Sequence, residues 1–176
     1  QVNPLAVTQA IAGRVADHRI EILPGIGHLP KLEAPANTAA LLRAHFAALK
    51  PTVAALEANG TKVSMFIDPD LDQVRASAEI GASMIELHTG TFANHFGEER
   101  QAEVARLKAA AELGHSLGLQ INAGHGLTTS NLPDLLTIPH LHELNIGHHI
   151  ISRAVFIGLQ PAVKEMLAAM QNYTLA

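Results

Sequence analysis

Cysteine is absent from this chain. Disulfides, thiolate metal sites and thiol nucleophiles are therefore excluded. Tryptophan is absent as well, tyrosine occurs once, and aromatics amount to 3% of the residues. No excess of one charge exists: the formal net charge is -4 with acidic and basic residues mixed, which excludes a basic nucleic-acid footprint. No apolar run is long enough to span a membrane, and no signal peptide opens the chain. A cytoplasmic protein is expected, with neither membrane nor nucleic acid as partner.

What is present is an apolar fraction of 48% over 176 residues, enough for one core or at most two small ones. Eleven histidines stand out and hint at chemistry or metal. Residues 4–16 read as a helix, with Asn3 as N-cap and Pro4 at the first helical position. Residues 19–23 read as a short strand and 37–49 as a second helix, which Pro51 interrupts before a further turn or two to residue 58. From there the pattern is regular. Strands at 62–67, 83–88, 119–122 and 142–146 alternate with helices. The first of these helices is capped by Asp70, has Leu71, Val74 and Ala78 on its inner face, and ends at Gly81. A loop at 89–97 precedes the longest helix, at 98–117, and later helices fall at 132–138, 150–158 and 161–171.

Strands alternating with helices mean βα units and a parallel α/β sheet. Each strand is mostly apolar, as expected when both faces are covered. At roughly 25–40 residues per unit, four units make half of a (β/α)₈ TIM barrel. An open sheet of the same connectivity is the alternative.

In parallel α/β folds, function sits at the carboxyl ends of the strands. Those ends hold Asp68, then Glu86 with His88, then His125, then Gly147 with His148. Glu86 and His88 are two residues apart and so share one face of their strand. His125 lies between Gly124 and Gly126, which leaves the ring exposed and the backbone open to a ligand. Histidine, with an ordinary pKa of about 6.5, gives or takes a proton at neutral pH. The plain alternative is a turn histidine in solvent. Glu86 fits a base, an electrostatic stabiliser or a partner for a histidine.

The stretch ELNIGHHIISRAVFIGL begins as a strand, breaks at Gly147 and continues as a helix. Strand, glycine, helix N-terminus is a device for holding an anion, because the first helical N–H groups have no partner inside the helix. Any strand-to-helix turn also uses glycine. His88, His125, His148 and His149 have the chemistry of zinc ligands. They form no HxH or HExxH spacing on a helix, so neither a metal nor a cofactor is expected. His115, His140 and His142 read as structural.

The motifs FIDPD, IELHTG, INAGHGL and ELNIGHHIISRAVFIGL, within about residues 49–171, resemble the pyridoxine 5′-phosphate synthase family. The resemblance implies a (β/α)₈ barrel that assembles as an octamer built from dimers. It implies condensation of 1-deoxy-D-xylulose 5-phosphate with 3-amino-2-oxopropyl phosphate in vitamin B6 biosynthesis, hence phosphorylated small molecules as partners and a homo-oligomer. By motif, His125 of AGHGL resembles the proton donor and Gly126 a substrate contact. Glu86 of IELHTG resembles the transition-state-stabilising carboxylate, and Gly147 with His148 of NIGH the cradle for a substrate phosphate.

The family's first four strands carry an Asn-x-Asp-His strand end, a histidine and a glutamate as proton acceptors, and a phosphate-binding arginine. Residues 1–48 contain no equivalent. They resemble instead the C-terminal end of an α/β-hydrolase, with His28 of PGIGHLPKLEAP at the catalytic-histidine position. No G-x-S-x-G elbow accompanies it, so His28 reads as an orphan. The expectation is a chimera of a hydrolase-like fragment at 1–48 and a half barrel at 49–176, inactive by itself. A non-catalytic phosphate-binding α/β fragment is the alternative. Half a barrel exposes an apolar interior and two strand edges. Strand 19–23 is expected to extend the sheet, and the chain to self-associate.

Overall fold

The computed structural model describes residues 35–171 and Tyr173. The helix expected at 4–16, the strand at 19–23 and His28 lie outside the described residues. The chain divides into two compact units, Gln1–Thr38 and Ala39–Ala176, and the elements of the candidate site lie in the second.

The first described helix, α1, runs from Pro35 to Ala58 without a break at Pro51. A proline inside a helix forfeits the hydrogen bond to the carbonyl four residues earlier. Here that carbonyl belongs to Ala47, and Ala47 and Pro51 are both exposed, on the face where solvent can satisfy a freed acceptor. Phe46 and Val53, seven residues apart on the other face, are buried and hold the helix to the core.

The elements that follow are β1 (Ser64–Ile67), α2 (Leu71–Glu79), β2 (Met84–His88), α3 (Gly90–Asn94), α4 (Gly97–Ser116), β3 (Gln120–Gly124), α5 (Leu132–Leu135), β4 (Leu141–Asn145), α6 (His148–Ile157) and α7 (Leu159–Met170). Asp70 caps α2, its Oδ1 accepting from the N–H groups of Asp72 at 3.0 Å and Gln73 at 3.1 Å. The inner face of α2 is Val74, Ala76 and Ser77, whereas Leu71 is exposed. The loop expected at 89–97 contains the short helix α3. Its anchor is Phe92, fully buried, a tertiary contact that local propensity does not report.

The sheet has four strands in the order β1-β2-β3-β4, every neighbouring pair parallel. Right-handed crossovers between sequential neighbours put the connecting helices on one face. Accordingly α2 packs beside α4, and α4 lies over β2 and β3. Ile67, Ile85, Leu87, Ile121, Ala123 and Leu141 point into this layer and meet Val74, Val104, Leu107, Ala110 and Ala111. A Cβ at Gly114 would lie 2.6 Å from Ile121 Cδ1, so α4 approaches the sheet as closely as a glycine allows.

The other face differs from the expected apolar interior. Strand alternation gives it Ser64, Phe66, Met84, Glu86, His88, Gln120, Asn122, Glu143 and Asn145, which are mostly polar. The strands are thus apolar toward the helices and polar on the opposite side, not apolar on both. The register shift between β3 and β4 makes this possible. Leu141 pairs with Ile121 and Leu144 with Ala123, although the leucines are three apart; His142 takes up the odd residue.

Candidate active site

The carboxyl ends of the four strands converge on a cleft of 360 Å³ lined by Phe66, Glu86, His125, Gly126, Leu127, Asn145, Ile146, Gly147, His148 and His149. The predicted site residues Glu86, His125, Gly126, Gly147 and His148 are therefore all brought together. The register explains it: Phe66 pairs with Glu86, Glu86 with Asn122, and Gly124 with Asn145, so β1, β2 and β4 each direct a side chain to the same mouth.

Glu86 is oriented from the next strand but one. Asn145 Nδ2 donates to Glu86 Oε2 at 2.9 Å, reaching across β3. The strand between them carries Gly124, where a Cβ would overlap Glu86 Oε1 and lie 3.1 Å from Asn145 Cβ. Gly124 therefore makes room for the pair. Asn145 was not singled out from the sequence, yet it alternates with Leu144 on the face that also bears Glu143.

His125 sits on a strained backbone. Its φ of 85° is left-handed, which costs a non-glycine residue about 1–2 kcal/mol. Surrounding groups hold it there. Thr89, 0% exposed, donates its N–H to Gly124 O at 2.9 Å. Its hydroxyl lies 2.7 Å from the same oxygen and 2.6 Å from His125 O, with a single proton to share. On the other side Asn131 Nδ2 donates to Gly126 O at 3.1 Å, and Asn131 Oδ1 accepts from Thr128 N at 2.8 Å. Gly126 also needs to be glycine, having a φ of 75° and no space for a Cβ, which would lie 2.6 Å from Ala93 Cβ. Strain held in place by several partners is the pattern of a functional turn.

Two aromatic neighbours complete this side. The rings of His88 and His125 are 4.8 Å apart and tilted by 53°, and Phe66 meets His88 edge-on at 5.3 Å. His88 Nδ1 is 3.6 Å from Asp68 Oδ1, an ion pair when the imidazole is protonated.

The opposite wall is the start of α6. Gly147 is its N-cap, and no side chain caps the helix. Ile151 N donates back to Gly147 O at 3.0 Å, which leaves the earlier N–H groups without helical partners. Gly147 has φ -113° and ψ -59°, on the negative-φ side that does not call for glycine, and a Cβ there would touch nothing within 4 Å. The protein's own packing therefore does not require glycine at this position. His149 Nε2, 3.5 Å from Thr129 Oγ1, ties the first turn of α6 to the loop after β3. Among the described residues, no group of three His, Asp or Glu side chains is arranged to hold a metal ion. His115 and His140 stack at 3.8 Å beside His142, around a separate cavity at the amino ends of β3 and β4.

Sequential parallel strands, helices packed against the sheet and a cleft at the strand carboxyl ends define an α/β protein built from parallel βα units. The particular group follows from comparison with known proteins: the profile of the pyridoxal phosphate biosynthesis protein PdxJ family matches residues 9–172, and the chain belongs to that family. A pyridoxine 5′-phosphate synthase of Akkermansia muciniphila is 60% identical over 125 residues, covering 70% of this chain and 51% of the relative. The enzyme of the same description from Legionella pneumophila (strain Paris) is 44% identical over 172 residues, covering 96% of this chain and 68% of the relative. One from Sulfurihydrogenibium sp. is 46% identical over 124 residues, 70% of this chain and 51% of the relative. The chain thus spans about half the length of most of the curated relatives it matches. Because the family match begins at residue 9, it takes in most of residues 1–48. The α/β-hydrolase resemblance of that segment is therefore not supported.

Proposed function

We propose that this chain carries the proton-donating and phosphate-holding part of a pyridoxine 5′-phosphate synthase. That enzyme condenses 1-deoxy-D-xylulose 5-phosphate with 3-amino-2-oxopropyl phosphate, giving pyridoxine 5′-phosphate, inorganic phosphate and water. The observation that carries the reading is the common cleft of Glu86, His125, Gly126, Gly147 and His148. The condensation needs imine formation, dehydrations and loss of phosphate, and each moves protons. His125, raised on its strained turn, is the donor to the departing oxygen. Glu86, aimed by Asn145, stabilises positive charge as it develops. The uncapped start of α6 receives a phosphate group on its free N–H groups, and the bare Cα of Gly147 lets that group approach. The substrates are phosphorylated small molecules, the compartment is the cytoplasm, and the working form is a homo-oligomer.

The resemblance assigns the proton acceptors and the second phosphate site to strands that precede the matched motifs. Turnover by this span unaided is therefore not expected, and phosphate-ester binding is. A product-forming assay with both phosphorylated substrates, together with titration by inorganic phosphate, tests the reading. Saturable phosphate binding that weakens on altering Gly147 supports it, as does any turnover abolished in His125→Ala. Turnover that survives His125→Ala removes the assigned donor, and absence of phosphate binding removes the cradle.

A further inference from the structure

We propose that the segment His88-Thr89-Gly90 is the positioning device of His125. The inference rests on the reading of His125 as the proton donor, and it adds residues that the motif-by-motif reading leaves without a role. Three consecutive residues each meet the AGHG turn in a different way. The His88 ring walls the His125 ring at 4.8 Å. Thr89 fixes the carbonyls of Gly124 and His125, and so the backbone from which the imidazole projects. Gly90 leaves the space that the two rings need: a Cβ there would lie 2.7 Å from His88 Cε1 and Nε2 and 3.2 Å from His125 Cδ2. His88 is itself fixed, with Asp68 Oδ1 at 3.6 Å from its Nδ1 and Phe66 edge-on to its ring. Strand geometry places all of this: His88 shares a face with Glu86 and pairs with Gly124, one residue before His125. An exposed imidazole on a left-handed backbone has few local restraints on χ1, and a wall of ring atoms on one side selects one rotamer.

The test uses the full chain, with the χ1 population of His125 read from three-bond couplings between its Cγ and its own backbone nitrogen and carbonyl carbon. The native chain and His88→Phe, which keeps an aromatic wall, give couplings of a single rotamer. His88→Ala gives the averaged couplings of an unrestrained histidine, and His88→Asn replaces it if that variant does not fold. Thr89→Val removes the hydroxyl at nearly constant volume and, by loosening the turn, speeds exchange of the residue-89 amide that donates to Gly124 O about tenfold, the equivalent of one hydrogen bond. Where turnover is measurable, kcat in His88→Ala falls at least about tenfold with KM little changed, and His88→Phe restores it. A single His125 rotamer in His88→Ala overturns the inference, and so does unchanged exchange in Thr89→Val. Full turnover in His125→Ala overturns the donor reading and leaves the rotamer measurement standing, so the two ideas fail separately.

Discussion

A methyl group at Gly124 would overlap Glu86 Oε1 and lie 3.1 Å from both Cβ and O of Asn145. Gly124→Ala is therefore expected to displace the Glu86 carboxylate and break its bond to Asn145, while the backbone, already extended, accepts alanine. Where the proposed synthase turnover is measurable, kcat should fall by about a hundredfold, the scale of a misplaced catalytic group. Phosphate affinity, which the proposed function places at the Gly147 turn, should stay the same, so steady-state kinetics and a phosphate titration together check the proposal. Gly147→Ala is the complementary case. Its φ is negative and an added Cβ meets open space. Thermal stability should be unchanged or raised by about 0.4–1 kcal/mol through the unfolded chain, whereas phosphate binding should weaken. Equal affinity in the two proteins would sever the link between the bare Cα and the ligand. At this scale much was legible in the sequence, because Glu86, His125 and Gly147 stand at strand ends that any parallel sheet gathers. The orienting partners were not legible. Asn145 reaches Glu86 across a register of three strands, and Thr89 meets a turn 35 residues away, and neither distance is written in local spacing.

Among the elements, one carboxylate adds polar ties between the end of α1 and the sheet to the packing of Phe46 and Val53. Glu57 Oε1 accepts from Ser83 Oγ at 2.6 Å and from Val63 N at 2.8 Å, joining the end of α1 to the approaches of β1 and β2. The Ser83 hydroxyl, followed by the Val63 N–H, holds this carboxyl below the usual value of 4.5. A lowered folded pKa means stability that is fully present above the unfolded value and is lost as pH falls through the folded one. Glu57→Gln should therefore unfold at a lower temperature near neutrality, and its stability should depend less on pH below 4.5 than that of the parent. Parallel melting curves down the acid limb would refute this. At the far end of the chain, Tyr173 Oη accepts from Leu141 N at 2.7 Å and donates to Ile138 O at 3.0 Å, fixing the entry of β4. Tyr173→Phe leaves the N–H of buried Leu141 unsatisfied and should cost about 1–3 kcal/mol in denaturant unfolding. Cap chemistry made α2 readable, since Asp70 acts on its own neighbours. The continuity of α1 through Pro51 and the existence of α3 were hidden, because buried Phe46, Val53 and Phe92 decide them through distant contacts.

For the molecule as a whole, the four-stranded parallel arrangement followed from the alternation of strand and helix, whereas the polarity of its open face did not. The strands contain enough aliphatic residues to look buried on both sides, and only the β3–β4 register shift reveals that Leu141 and Leu144 serve one face. Phe66 on the open face and Phe96 before α4 are exposed, but the exposed apolar side chains are concentrated on α6 and α7. Val155 is 78% exposed and Phe156 83%, and Ile151, Leu159 and Leu167 are exposed as well. A run such as IISRAVFI is apolar on more than one side, so helical periodicity does not say which side is buried. In fact α6 buries no residue fully. A concentration of exposed apolar side chains of this kind drives association in water. The double substitution Val155→Glu with Phe156→Glu removes little packing, so the unfolding free energy should move by no more than about 0.5 kcal/mol per site, the range of ordinary surface changes. Light scattering at high protein concentration should show less self-association in the variant than in the parent. Equal scattering in both would exonerate this surface, and a large loss of stability would mean that the two side chains are packed rather than exposed.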